Sequence, residues 1–219
     1  MKSYFVTSTG TGIGKTFVTC ALIRQARALG RTVAATKPLI SGFDKSKILQ
    51  SDTGAILQAL GEPATPEAVA RVSPWRFAAP LAPNMAAAAE GLSVNCDALF
   101  AHSRAFLAER VDVALIEGVG GVMVPLDDAK TVLDWIVACG CPAILVVGDY
   151  LGTISHTLTA AEVLRAKGVA LAAVVVSEGE GGEVPFAATC ADLSARLPVP
   201  VLPLRRNADG GELKSLLVS

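Results

Sequence analysis

One stretch near the start of the chain, Thr7-Ser8-Thr9-Gly10-Thr11-Gly12-Ile13-Gly14-Lys15-Thr16, restricts its fold more than any other. It follows the apolar run Tyr4-Phe5-Val6 and precedes a helical pattern beginning near Phe17, so it reads as a glycine-rich turn from strand into helix. Such a turn is a phosphate cradle. Glycines let successive backbone N–H groups converge on anionic oxygens with no Cβ in the way, and the helix N-terminus adds partial positive charge. Lys15 is placed to reach the outer phosphates, and the Thr16 hydroxyl to ligate magnesium. The first position of the G-x-x-x-x-G-K-[ST] pattern is Thr9 rather than glycine.

With 219 residues, 52% of them hydrophobic and 18% charged, the chain suits a single domain over 1–219 whose strands are covered on both faces by helices. The longest apolar run, 169–176, is too short to cross a bilayer, and no charged-then-apolar leader precedes the first strand. A soluble, cytoplasmic protein that does not engage membranes is expected. A net charge of −1 without a basic run argues against a nucleic-acid surface. The 5 cysteines are odd in number and lie mostly in apolar helical patterns, which favours reduced core thiols. Cys139-Gly140-Cys141 lacks metal or redox spacing.

Along the chain, Val18, Ala21, Leu22, Ala26 and Leu29 mark a helix that stops at Gly30. A second strand over 32–36 delivers Lys37-Pro38-Leu39-Ile40-Ser41-Gly42 at its carboxyl end, where α/β folds place ligands. Lys37 is there either a solvated surface charge or a second site cation. Residues 43–92 read as less regular: Ser51-Asp52 caps a short helix through Leu60, and prolines interrupt the rest. Asn95 caps a helix through Glu109, and 111–117 is a third strand ending in Glu117, followed by Gly118-Val119-Gly120-Gly121. An acid at the tip of an apolar strand is how this class of nucleotide-binding fold holds magnesium or its waters; the alternative is a glutamate simply exposed at a strand end. Helices over 131–138, 154–168 and 186–197 alternate with strands over 143–147, 171–176 and 201–202, before a modest C-terminal helix. Trp135 reads as core and His156 as a helix-end hydrogen bonder. The pattern implies right-handed crossovers and a mainly parallel sheet flanked by helices on both faces, a doubly wound three-layer α/β/α fold.

Taken in order, these motifs resemble the dethiobiotin synthetases, a family of P-loop NTPases, from residue 4 to about residue 176. The resemblance rests on Tyr4-Phe5-Val6-Thr7 leading into Thr9-x-Thr11-x-Ile13-Gly14-Lys15-Thr16, on Lys37-Pro38-x-x-Ser41-Gly42, Ser51-Asp52 and Pro80-x-x-Pro83, and on Glu117-Gly118-x-Gly120-Gly121, Leu145-Val146-Val147-Gly148 and Leu151-Gly152. It implies an ATP- and magnesium-dependent reaction in which 7,8-diaminononanoate and CO2 give dethiobiotin, with ADP and phosphate released. A substrate amine forms a carbamate, the carbamate oxygen attacks the γ-phosphate, and the second amine closes the ring. The resemblance implies that Thr16, Asp52 and Glu117 hold magnesium, that Lys15 contacts the terminal phosphates, and that Lys37 sits beside the carbamate. Thr11 and Ser41 supply hydroxyls near the reacting end, while Gly12, Ile13, Gly14, Phe17, Gly118, Gly120 and Ser177 complete the nucleotide contacts. It also implies a homodimer that shares its substrate site, with the distal carboxylate received near Gly120 and Gly152.

Against the family pattern, Ser8 stands where glycine is usual, and Gly10 and Gly12 replace commonly acidic positions, which implies a looser, less negative cradle. Ser177 falls where an asparagine commonly reads the base, leaving base preference open, and Ser155 and Leu204-Arg205-Arg206-Asn207 depart likewise. The rival class is a ParA/MinD-like switch ATPase with no small-molecule product. Its signature lysine would fall at Gly10, and the basic amphipathic tail such proteins often carry is missing from the sequence. A GTPase would need Asn-Lys-x-Asp, and the chain has no Asn-Lys pair.

Overall fold

The computed structural model describes residues 1–181 and 184–218. Six strands, β1 (Lys2–Ser8), β2 (Val33–Thr36), β5 (Val113–Glu117), β6 (Ala143–Val147), β7 (Leu171–Ser177) and β8 (Val201–Leu204), form one sheet in the order β2-β5-β1-β6-β7-β8. Every pairing in it is parallel. A second, two-stranded parallel sheet joins β3 (Leu39–Ser41) to β4 (Trp75–Phe77). The helices are α1 (Lys15–Ala28), α2 (Asp52–Leu60), α3 (Pro66–Val72), α4 (Pro83–Ala89), α5 (Cys96–Leu107), α6 (Val132–Cys139), α7 (Thr153–Ala166) and α8 (Phe186–Arg196).

Side chains alternate across β1 and split the core in two. Tyr4 and Val6 belong to the cluster formed with α1, α2 and α3, and Phe5 to the one formed with α5, α6, α7 and α8. The central strands are buried along their whole length, as a sheet covered on both faces requires. Trp135 is fully buried, as expected, with its ring edge-on to Phe5 at 5.0 Å and 88°. That geometry contributes about 0.5–1.5 kcal/mol beyond the area buried. Its indole N–H donates to Ser103 Oγ at 2.8 Å, and the Ser103 hydroxyl donates to Leu99 O at 2.8 Å, which ties α6 to α5.

The sheet and its crossovers follow the expected α/β order, and the differences have local causes. The strand expected over 111–117 begins at Val113, because the Asp112 carboxylate accepts the Thr32 N–H and hydroxyl and holds the chain in a turn. Residues 43–92 are more regular than their prolines suggest. Pro66 and Pro83 begin α3 and α4 at the helical position where a missing N–H costs nothing, and Thr65 caps α3 through Ala68 N–H at 3.2 Å. The C-terminal helix is a 3-10 turn, Gly211–Leu216, entered through Gly210 at φ 83. A Cβ on Gly210 would lie 2.8 Å from that of Ala21, so the turn sits directly against α1, and Tyr4 Oη donates to Leu216 O at 2.7 Å.

All five cysteines are free. Burial pushes the Cys20 and Cys96 thiols up to about 12 and Cys141 to about 11, so they stay protonated and act as small apolar groups.

The Ser103 hydroxyl accepts the indole N–H of the fully buried Trp135, so Ser103→Ala should lower unfolding stability by about 1–3 kcal/mol in urea titration. Turnover per folded molecule should be unchanged.

Candidate active site

The register of the sheet gathers the site. Val6 pairs with Glu117, Thr36 with Ile116 and Ser8 with Val146, so β1, β2, β5 and β6 end at one edge. The turn between β1 and α1 emerges there, beside Lys37 and Glu117, at the carboxyl ends where a parallel sheet places ligands. Gly14 enters α1 at φ 94, and a Cβ on it would lie 2.5 Å from Ser177 Oγ. Glycine is therefore required at this point both for the left-handed backbone and for the approach of β7.

Lys37 is not a solvated surface charge. It is 4% exposed, and its ammonium donates to Glu117 Oε1 at 2.7 Å and to Asp52 Oδ2. Burial alone would lower its pKa, but the two carboxylates outweigh burial and hold it above the usual lysine value. Burial likewise works against the Asp52 charge, yet Lys37 beside it holds that carboxyl below its usual range. Lys15 is lowered to about 8, first by burial and then by the Lys37 charge, against the pull of Glu117 and Asp52.

These groups meet because the 38–90 segment folds back on the strand ends. The Lys37 N–H and Thr36 hydroxyl both donate to Val72 O, at 3.0 and 2.8 Å, and Trp75 N–H donates to Pro38 O at 2.9 Å, where the small β3–β4 sheet begins. Ser51, rather than Asp52, caps α2, accepting Gly54 N–H at 3.2 Å. Asp52 is thereby the first helical residue, freed to face Lys37. Buried hydroxyls of Thr53 and Ser73, 2.7 Å apart, join α2 to the end of α3.

Glu117 is fully buried. Its Oε1 accepts both the Thr16 hydroxyl, at 2.6 Å, and Lys37, while among the described residues its Oε2 has no hydrogen-bond partner. A buried carboxylate oxygen left unpaired beside a hydroxyl and a second carboxylate is a hard-oxygen set that fits magnesium, which takes few protein ligands and completes its shell with water and phosphate. Among the described residues no group of three or more His, Cys, Asp or Glu side chains could hold a metal alone.

Two cavities flank the turn and share Gly12, Gly14 and Phe17. One, of ≈ 750 Å³, is lined by Thr11, Lys15, Thr16, Lys37, Ser41, Asp52 and Gly120 together with the Pro80–Pro83 stretch. The other, of ≈ 710 Å³, runs past Ile13 and Ser177 to Arg206 and Asn207. Among the expected nucleotide and metal residues, Glu117 and Gly118 line neither: Glu117 is fully buried behind Thr16 and Lys37, and a Cβ on Gly118 would lie 2.7 Å from the Phe5 ring, so this glycine makes room for the core. Asp149, Tyr150 and Glu178 line the second cavity but were not among the expected residues. Their position just beyond β6 and β7 was the available signal. His156 Nδ1 and Tyr150 Oη are 2.9 Å apart at the start of α7, in keeping with a helix-end hydrogen bonder.

Residues 2–203 match the family model described as AAA domain. The ATP-dependent dethiobiotin synthetase BioD of Phenylobacterium zucineum is 48% identical over 94% of this chain and 90% of its own length. That of Caulobacter vibrioides is 54% identical over 81% of this chain and 80% of its own. Among solved structures, the septum site-determining protein MinD of Pyrococcus horikoshii, complexed with Mg-ADP, superposes with a TM-score of 0.56 at 16% identity, covering 98% of this chain and 94% of that one. Chloroplast FtsY of Physcomitrella patens gives a TM-score of 0.57 at 12% identity, covering 100% and 65%. These two likenesses concern the fold alone. The identities with the synthetases extend over most of the chain: it belongs to the ATP-dependent dethiobiotin synthetase family.

Proposed function

We propose that this chain converts 7,8-diaminononanoate, CO2 and ATP into dethiobiotin, ADP and phosphate, acting as one ATP-binding domain. The observation that carries the proposal is the buried Lys37, bracketed by Asp52 and Glu117 and opening onto the same cavity as Lys15 and the phosphate cradle. A carbamate attacking a γ-phosphate develops charge on oxygens that must be met by preorganised cations.

In this scheme the N–H groups of the turn and Lys15 hold the β- and γ-phosphates. Lys37 lies between the γ-phosphate and the carbamate, where its charge stabilises the oxygens as the new O–P bond forms. Thr11 and Ser41 offer hydroxyls from the walls of the same cavity to orient the amine and the carbamate. The second amine then attacks the carbamic-phosphoric anhydride, closes the ring and expels phosphate. Thr16, Asp52 and Glu117 would hold magnesium, which when bound neutralises charge on the phosphate oxygens. Gly12, Ile13, Gly14, Phe17 and Ser177 receive the nucleoside end.

We place a second subunit over the Pro80–Pro83 side of the substrate cavity, as a homodimer sharing the site. Leu81 lines that cavity and is 43% exposed, Met85 one turn further on is 55% exposed, and Met123, next in sequence to the lining residue Val124, is 56% exposed. Grouped apolar surface of this kind is normally covered. The enzyme works in the cytoplasm under this proposal; among the described residues no helix is long and apolar enough to cross a membrane.

Incubation with diaminononanoate, bicarbonate, magnesium and separate nucleoside triphosphates should yield dethiobiotin by mass. Phosphate release without it would favour a switch ATPase. Lys37→Gln should lower kcat by about a hundredfold or more. The same change leaves Glu117 buried without its counter-ion and should lower stability by about 3–5 kcal/mol. Titrating magnesium should raise the Tm of this variant more than that of the wild type, and normal turnover would remove Lys37 from the reaction. Glu117→Gln should raise the magnesium concentration needed for half-maximal rate, and an unchanged titration would take Glu117 out of the metal shell.

A further inference from the structure

Ser8 is the last residue of β1 and is fully buried, with its hydroxyl at the meeting point of three parts of the site. It accepts from Lys15 Nζ at 3.0 Å and from Gly10 N–H at 3.3 Å. It lies 2.5 Å from Gly10 O and 3.1 Å from Gly120 O, either of which could take its proton. A hydroxyl carries one proton, so it can donate to only one of these carbonyls at a time. Lys15 also donates to Gly10 O at 3.1 Å. The cradle expected to be loose at Ser8 is instead cross-tied there.

The backbone around Ser8 is strapped to the loop after β5. Val122 N–H donates to Ser8 O at 3.1 Å, and a Cβ on Gly121 would lie 3.0 Å from Thr9 O. The loop carrying Gly120 therefore cannot shift without moving the cradle. It leads directly from Glu117, and Gly120 lines the cavity that holds Lys37 and Ser41.

We propose that Ser8 is a positioning residue that couples nucleotide binding to substrate binding. With Lys15 in place the shorter contact, to Gly10 O at 2.5 Å, takes the Ser8 proton, and the ammonium fixes the hydroxyl from its other side. When Lys15 leaves for the phosphates, the Ser8 hydroxyl is free to turn to Gly120 O and draws the 120–122 loop into place against the substrate. This rests on the proposed function, since it takes diaminononanoate as the occupant of the Lys37 cavity.

Calorimetry on the full chain can test it, measuring diaminononanoate binding with and without magnesium and a non-hydrolysable ATP analogue. The wild type should bind diaminononanoate at least about fivefold more tightly when the analogue is present. Ser8→Ala and Ser8→Cys should bring that ratio to within about twofold of one, measured with the analogue at a saturating concentration for each variant. Cysteine fills nearly the same volume but hydrogen-bonds weakly, so a role in packing alone would leave Ser8→Cys like the wild type. Wild-type coupling retained in Ser8→Cys, or no coupling in the wild type, would overturn the inference. Failure of the wild type to bind diaminononanoate at all would instead overturn the proposed function.

Discussion

The contact between Lys37 and the carboxylates of Glu117 and Asp52 is the constraint around which the rest of the molecule is arranged. A fully buried glutamate beside a nearly buried lysine persists only where each supplies the other's charge and further hydrogen bonds meet the remaining atoms. The sheet order brings Glu117 to the centre, one strand away from the cradle, and sets β2 on its other side, so Lys37 arrives from the neighbouring strand end. Asp52 cannot come from the sheet. It is carried in by α2, held over the strand ends by the Val72 carbonyl, the small β3–β4 sheet and the Thr53–Ser73 hydroxyl pair. The 38–90 segment is thus a support for one ion cluster as well as a cover for the core.

How much of this the sequence discloses depends on how local the cause is. The cradle, Glu117 and the alternation of strands with helices are legible because each is set by contiguous residues: glycines before Lys15-Thr16, an acid at the end of an apolar run, a period of two giving way to one of 3.6. Lys37 at a strand end is visible, yet its burial is not, because burial depends on contacts with Val72 and Asp52 far along the chain. Asp52 by itself reads as part of a helix cap, and its site role is suggested only by family resemblance. The prolines mislead through position: Pro66 and Pro83 start helices, where the same residue one turn later would break them. Gly118 shows a use that local pattern does not disclose, a glycine next to the site that makes room for the ring of Phe5 behind it.

Family membership and structure contribute different things. Identities near 50% over most of the chain bring the activity class, whereas the likeness to MinD and FtsY shows the shared fold alone. In this chain a cavity continues from the phosphate end, past the second cation Lys37, toward Ser41 and the Pro80–Pro83 stretch. A nucleotide switch needs its phosphates sensed, but a carboxylating cyclase needs room and charge for a second molecule at the γ-phosphate.

The charge balance of that cavity also accounts for the demand it makes on its ligands. Lys15 and Lys37 are offset by Asp52 and Glu117, so the side chains present almost no net charge to an incoming triphosphate. Gly10 and Gly12 add none, leaving the N–H groups of the turn and the α1 dipole as the remaining attraction, and these stabilise an anion by only fractions of an elementary charge. The imbalance produced by a triphosphate is therefore larger than the fixed groups can meet. The proposed magnesium would meet it, arriving with the nucleotide at the one carboxylate oxygen that, among the described residues, is buried without a partner, Glu117 Oε2. Under that proposal Glu117 and Asp52, which hold Lys37 in the free cavity, would serve both the cation and Lys37 once it is filled, so the same two carboxylates would hold the cavity together and set its charge.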